Sequence, residues 1–79
     1  MHHPSPKSYL EQTMNTDVTL YMRKKKKYLG KLIGMDEHCN VLLDNAYEEC
    51  DDNVRVEIGR ALINGGSIAA IEFFDENER

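Results

Sequence analysis

The sequence predicts an all-β domain: one short N-terminal helix, then five short strands that curl into a small, partly open barrel. Three observations predict it. After Asp17, apolar and polar residues alternate with a period of two over most of the chain. Glycines interrupt that alternation at Gly30, Gly34 and Gly59, where a strand has to bend or bulge. Short turn signals separate the alternating runs. The 79 residues leave room for one domain, residues 1–79. A domain of this size buries a modest fraction of its surface, so barrel closure or assembly with partners relieves its marginal stability.

The first six residues form a polar tail with Pro4 and Pro6. Ser5 is placed to cap a helix over about residues 5–14, with Pro6 at its first position, where a missing N–H costs nothing. Tyr9, Leu10 and Met14 give it an apolar face, and Asn15 and Thr16 end it. Val18, Leu20 and Met22 then alternate with Thr19, Tyr21 and Arg23 as a half-buried first strand. Lys24, Lys25, Lys26 and Lys27 read as a charged turn, and residues 28–35 as a second strand curled at Gly30 and Gly34.

Residues 36–39 form a tight turn, and Val41, Leu42 and Leu43 open a third strand. Residues 45–53 are polar and acidic; their early part extends that strand and their later part is a loop. Val54, Val56 and Ile58 open a fourth strand, which runs through Gly59 to Ile63. Asn64, Gly65 and Gly66 are a turn, and residues 67–74 a fifth strand, with Ile68, Ala70 and Glu72 on one face and Ala69, Ile71 and Phe73 on the other. Val18, Leu20, Leu32, Leu43, Ile58 and Ile68 are the expected core. The last two strands read as edges, rich enough in apolar residues to need protection or a partner.

The net charge of −4 argues against a stand-alone nucleic-acid binder, which carries a strongly basic face, but not against a subunit making one contact within an assembly. Two cysteines, Cys39 and Cys50, are not a disulfide framework. No secretory leader is read at the start, and the apolar runs are too short to cross a bilayer. The expectation is a reduced, intracellular, soluble protein with no membrane partner.

The stretch GMDEHCN, residues 34–40, puts Asp36, His38 and Cys39 within four positions, and all three types bind metals. A zinc site needs three or four ligands in fixed geometry, and the chain offers no second pair beyond Cys50 and the tail histidines His2 and His3. No second motif completes a nucleophile–base arrangement either, so no catalytic residue, metal or cofactor is assigned. The plainer roles are a carboxylate, Asp36, bracing a turn through backbone N–H groups, and an amide, Asn40, offering a donor and an acceptor.

Tyr28, Gly30, Leu32, Gly34, Asp36, Asn40, Val41, Leu43, Ala46 and Glu48 together have the spacing of the first Sm motif, within residues 18–48. Ile58, Gly59, Leu62, Ile63, Gly65, Ser67 and Ile68 resemble the shorter second motif, within residues 55–74. On these residues the chain resembles the Sm and Sm-like family over nearly its whole length. The resemblance implies a helix and a five-stranded, strongly bent antiparallel sheet. It also implies a ring of seven different subunits, in which the fourth strand of one pairs with the fifth of the next around single-stranded, uridine-rich small nuclear RNA. The tail with Lys7 and Tyr9, the spacing from Glu48 to Gly59 and the last strand resemble one type of spliceosomal subunit, whose implied ring neighbours are Sm E and, beyond it, Sm F. A nuclear location, with assembly in the cytoplasm, goes with that.

For the site, the resemblance implies that His38 stacks on a base and Asn40 reads its edge, with Asn64 and Gly65 completing the pocket. Cys39 stands where the family often has methionine, which implies packing rather than reactivity. Asn64 stands where the family usually has arginine, so the pocket loses a cation and a planar surface, and Gly66 also departs from the pattern. The lysines at positions 24–27 are candidates for phosphate contact. The acidic stretch 48–52 would repel RNA and instead face a basic partner or solvent. A ring subunit with little RNA contact of its own, and a Sm-like subunit of the U6 or messenger RNA decay type, are the alternative readings.

Overall fold

The computed structural model describes residues 14–51 and 53–74. The expected helix over residues 5–14 lies outside them except for Met14, which sits in a turn before the first strand and packs on the core. Five antiparallel strands follow: β1 (Thr16–Met22), β2 (Lys26–Met35), β3 (Val41–Cys50), β4 (Arg55–Ile63) and β5 (Ile68–Phe73), with a 3-10 turn at Gly65–Ser67. The spatial order is β4-β3-β2-β1-β5. Strands β4 and β5 are therefore the two edges of one sheet, as their composition predicted.

The sheet bends along a line that crosses three strands. On β3, Asn45 and Ala46 together oppose Gly30 of β2, and Ala46 in turn opposes Gly59 of β4. Asn45 takes a left-handed φ of 51°, which asparagine tolerates better than most residues. Gly59 takes a φ of 76°. At Gly30 the strands approach so closely that a Cβ would lie 3.0 Å from the Asp44 carbonyl oxygen and 3.1 Å from the Ala46 Cα. A bulge inserts one residue and increases twist, so three aligned irregularities fold the sheet over itself.

That fold encloses Val18, Leu20, Leu32, Val41, Leu43, Ala46 and Ile63. Leu20, Leu32, Leu43 and Val41 are fully buried, each contributing about 1.5–3 kcal/mol relative to exposure.

Four expectations are corrected. Ile58 is 40% exposed, because the pairing slips beside it on an edge strand and the alternation does not carry it inward. Ile68 and Ile71 both pack against the core, because a register shift opposite Met22 inverts the alternation of β5. Val54 does not open the fourth strand: β3 ends at Cys50 and a loop follows, as expected, but Asn53, at a φ of 61°, turns the chain and β4 begins only at Arg55. Lys26 and Lys27 belong to β2, so the charged turn is confined to residues 23–25.

The strand placement of those lysines has an electrostatic consequence. Lys27, Glu49 and Arg55 lie directly opposite one another on β2, β3 and β4. The Lys27 Nζ is 3.1 Å from one Glu49 oxygen, and the Arg55 Nε donates to the other at 2.6 Å. Glu49 is the buried acid of the sheet, and these two cations hold its carboxyl below the usual range, Arg55 contributing most. Lys26 lies 3.8 Å from Glu48, which also accepts from the Tyr28 hydroxyl at 2.8 Å. Part of the acidic stretch thus faces the chain's own lysines and arginine.

Candidate nucleic-acid interface

The turn between β2 and β3 is built around one carboxylate. Asp36 Oδ1 accepts the backbone N–H groups of His38 at 2.8 Å and Asn40 at 2.9 Å. Asp36 Oδ2 accepts the Asn40 side-chain N–H at 2.9 Å. The Asp36 N–H closes the loop onto the Asn40 carbonyl at 3.1 Å, and Cys39 N–H donates to the Asp36 carbonyl at 3.1 Å. The three donors lower the Asp36 pKa below the carboxylate norm, the Asn40 side-chain amide first. Asp36 is therefore the brace its type predicted.

Cys39 does not pack. It is exposed, with a left-handed φ of 65°, and what it contributes is the shape of the turn.

A second turn closes over the first. The Asn40 Oδ1 accepts the Gly65 N–H at 2.9 Å, across 25 residues of sequence. Gly65 lies directly on the Cys39 carbonyl group, where any Cβ would overlap it. Glycine is therefore required there by contact rather than by φ. Asn64 Oδ1 accepts the Gly66 N–H at 2.8 Å, and its carbonyl accepts the Ser67 N–H at 3.1 Å, so its side chain caps its own turn.

This arrangement defines what the site offers. A neutral asparagine amide has two N–H donors and two lone pairs. Asn40 uses one N–H on Asp36 and one lone pair on Gly65, which fixes its plane and leaves one donor and one acceptor site on the amide. The neighbouring His38 has its backbone pinned by Asp36 while its side chain is 76% exposed, with Nε2 3.7 Å from Glu37. A flat, exposed ring on a fixed backbone beside an oriented amide can cover a base face and read a base edge.

The structure brings His38, Asn40, Asn64 and Gly65 into one seam between two turns. It does not bring the lysines there as a group: Lys26 and Lys27 pair with acids in β3, while Lys24 and Lys25 stay at the hairpin tip. A residue outside the expected set does reach the seam. The Arg23 Nε donates to the Gly66 carbonyl at 3.0 Å. The only sequence signal for it was that it begins the basic run.

The model of the LSM domain matches residues 8–73. The chain belongs to the Sm and Sm-like (LSM domain) family. It is 36% identical over 74 residues to a probable small nuclear ribonucleoprotein G of Drosophila melanogaster, covering 94% of this chain and 92% of that protein. It is 34% identical over 71 residues to a putative snRNP Sm-like protein of Pyrococcus furiosus, covering 90% and 93%. Among solved structures it resembles the Pyrococcus abyssi Sm protein in complex with a uridine heptamer, at a TM-score of 0.80 and 30% identity over 90% of this chain and 100% of that one. The two motifs read from the sequence as those of the Sm family thus lie within the matched region.

Proposed function

We propose that the chain is a non-enzymatic, Sm G-like subunit of a seven-membered Sm ring that encircles the uridine-rich site of spliceosomal small nuclear RNA in pre-mRNA splicing. The observation that carries this is the Asn40 amide, clamped between Asp36 and Gly65 with one donor and one acceptor left, beside an exposed His38. A uracil edge presents both an N–H and carbonyl oxygens, so one oriented amide can satisfy two of its groups at once. The Drosophila relative is named a ribonucleoprotein G, and the Pyrococcus abyssi protein was solved with uridine RNA.

The edges support the ring. Among the described residues the outer sides of β4 and β5 pair with no other strand, and β4 carries exposed Val56, Ile58 and Leu62. A neighbour's strand on each side would cover both, with Sm E adjacent and Sm F beyond it. The site of action is the nucleus, after assembly in the cytoplasm.

A Sm-like ring of the U6 or messenger RNA decay type is the second reading, favoured by the similar identity to an archaeal Sm-like protein. Native mass measurement of the complex from cells, with its proteins and RNA identified, separates them. The proposal expects seven subunits including Sm E and Sm F on small nuclear RNA. Co-purification with the Sm-like set would replace it by the second reading, and a chain that joins neither set would remove the ring from the account.

A further inference from the structure

Arg23 is held on the seam at two points. Its backbone N–H donates to the Ser67 carbonyl at 2.9 Å and its Nε to the Gly66 carbonyl at 3.0 Å. The guanidinium is thereby laid against the turn that carries Asn64 and that Gly65 seals onto Asn40. A guanidinium has five N–H donors, so one is used and four remain on its two terminal nitrogens.

The charges around it are distributed unevenly. Lys26, Lys27, Arg55 and Arg60 each have a carboxylate within 4 Å. Among the described residues Arg23, Lys24, Lys25 and Lys31 have none, and Arg23 and Lys24 are neighbours in sequence. Arg23 and Lys24 line a groove of ≈ 410 Å³ that also touches Lys26, Tyr28, Asn64 and Ser67. The nearby acid, Glu48, is already engaged by the Tyr28 hydroxyl and Lys26. The groove, whose lining also includes Met22, Leu62 and Ile63, spans from Asn64 to the β1–β2 connection and carries its uncompensated positive charge on Arg23 and Lys24.

We propose that Arg23 binds a phosphate of the RNA strand whose base occupies the His38–Asn40 seam, with Gly66 and Ser67 positioning the guanidinium for a forked contact. This rests on the RNA reading above. Arg23 then delivers from the β1–β2 turn the positive charge that Asn64 does not bring from its own turn. A planar guanidinium suits a phosphate because two parallel N–H groups meet two oxygens.

The test uses assembled rings, a uridine heptamer as probe and a series of salt concentrations. Glutamine carries its side-chain nitrogen at the same distance along the chain as the arginine Nε. Arg23→Gln therefore keeps a donor for Gly66 and removes the charge with the distal N–H groups. Each phosphate contact to a single strand contributes about 0.7 to the slope of log affinity against log salt. Arg23→Gln is expected to flatten the slope by about 0.7 per copy of this subunit, and Arg23→Lys to keep it. Asn40→Ala is expected to weaken binding at every salt concentration with the slope unchanged.

A wild-type slope in Arg23→Gln, with Asn40→Ala still weakened, overturns the phosphate contact and leaves the base seam standing. A wild-type ring that does not bind the heptamer overturns both. A heptamer with uncharged methylphosphonate linkages needs no variant: weaker binding and a flatter slope agree with the proposal, and binding equal to that of the native heptamer overturns it.

Discussion

The two-turn seam and the β4 edge are opposite kinds of surface. In the seam the shape is fixed from within the chain: Asp36 is held by three N–H groups, Asn40 by Asp36 and Gly65, and Gly66 by Asn64, while half of the Asn40 amide and the His38 ring stay open. On β4 Ile63 is buried, but Val56, Ile58 and Leu62 are exposed. The difference is visible along a single row of directly opposed residues, Ile71, Leu20, Tyr28, Glu48 and Val56, which crosses all five strands. Leu20, on β1 inside the sheet, is 0% exposed and Val56 at the end is 50% exposed. The chain fixes the shape of its seam by itself and leaves apolar side chains of its edge exposed.

The largest effect comes from breaking the row at its fully buried residue. Leu20→Ala is expected to destabilise the full chain by about 2–5 kcal/mol, read as a shift in the denaturation midpoint, because it opens a cavity under the fold of the sheet. Next is the seam. Gly65→Ala forces a methyl group against the Cys39 carbonyl and is expected to cost about 1–3 kcal/mol, with a loss of uridine binding in the assembled ring. Gly59→Ala tests the bend, because a left-handed φ with open space around it predicts a cost of about 1–2 kcal/mol from the backbone alone.

Acidification sharpens the comparison further. The folded pKa of Asp36 is lowered, so its contribution is complete above the ordinary carboxylate pKa and is lost as pH falls through the lowered value. Glu49 has the same sign. Stability and oligouridine binding should therefore both decline on acidification below the ordinary carboxylate range, and Asp36→Asn should flatten the decline in binding. The smallest effect on the chain itself belongs to the edge. Val56→Ser should change the stability of the isolated chain by about 0.5 kcal/mol or less while weakening ring assembly, read by native mass.

Most of the sheet was legible in the sequence because period-two alternation and glycine spacing are local signals. Gly30 and Gly59 marked the bend, and Asp36 announced its brace. The failures share a cause. A bulge inverts every later side chain on its strand, and alternation does not count inserted residues, so Ile58 was placed inside and Ile68 opposite Ile71. Pairing across strands is equally hidden: Lys27 and Glu49 are 22 positions apart, and nothing near either one names the other. Within the site, Asn40 was readable from its motif, whereas its contact with Gly65 and the reach of Arg23 to Gly66 depend on two turns meeting in space.

The central claim is that the seam holds a base. Its most direct test is the affinity of assembled rings for a uridine heptamer when this subunit carries His38→Ala and Asn40→Ala together. Loss of one stacking surface and one oriented amide predicts a fall of about tenfold or more, with ring mass unchanged. Wild-type affinity in intact double-variant rings would contradict the claim and leave the subunit a purely architectural part of the ring.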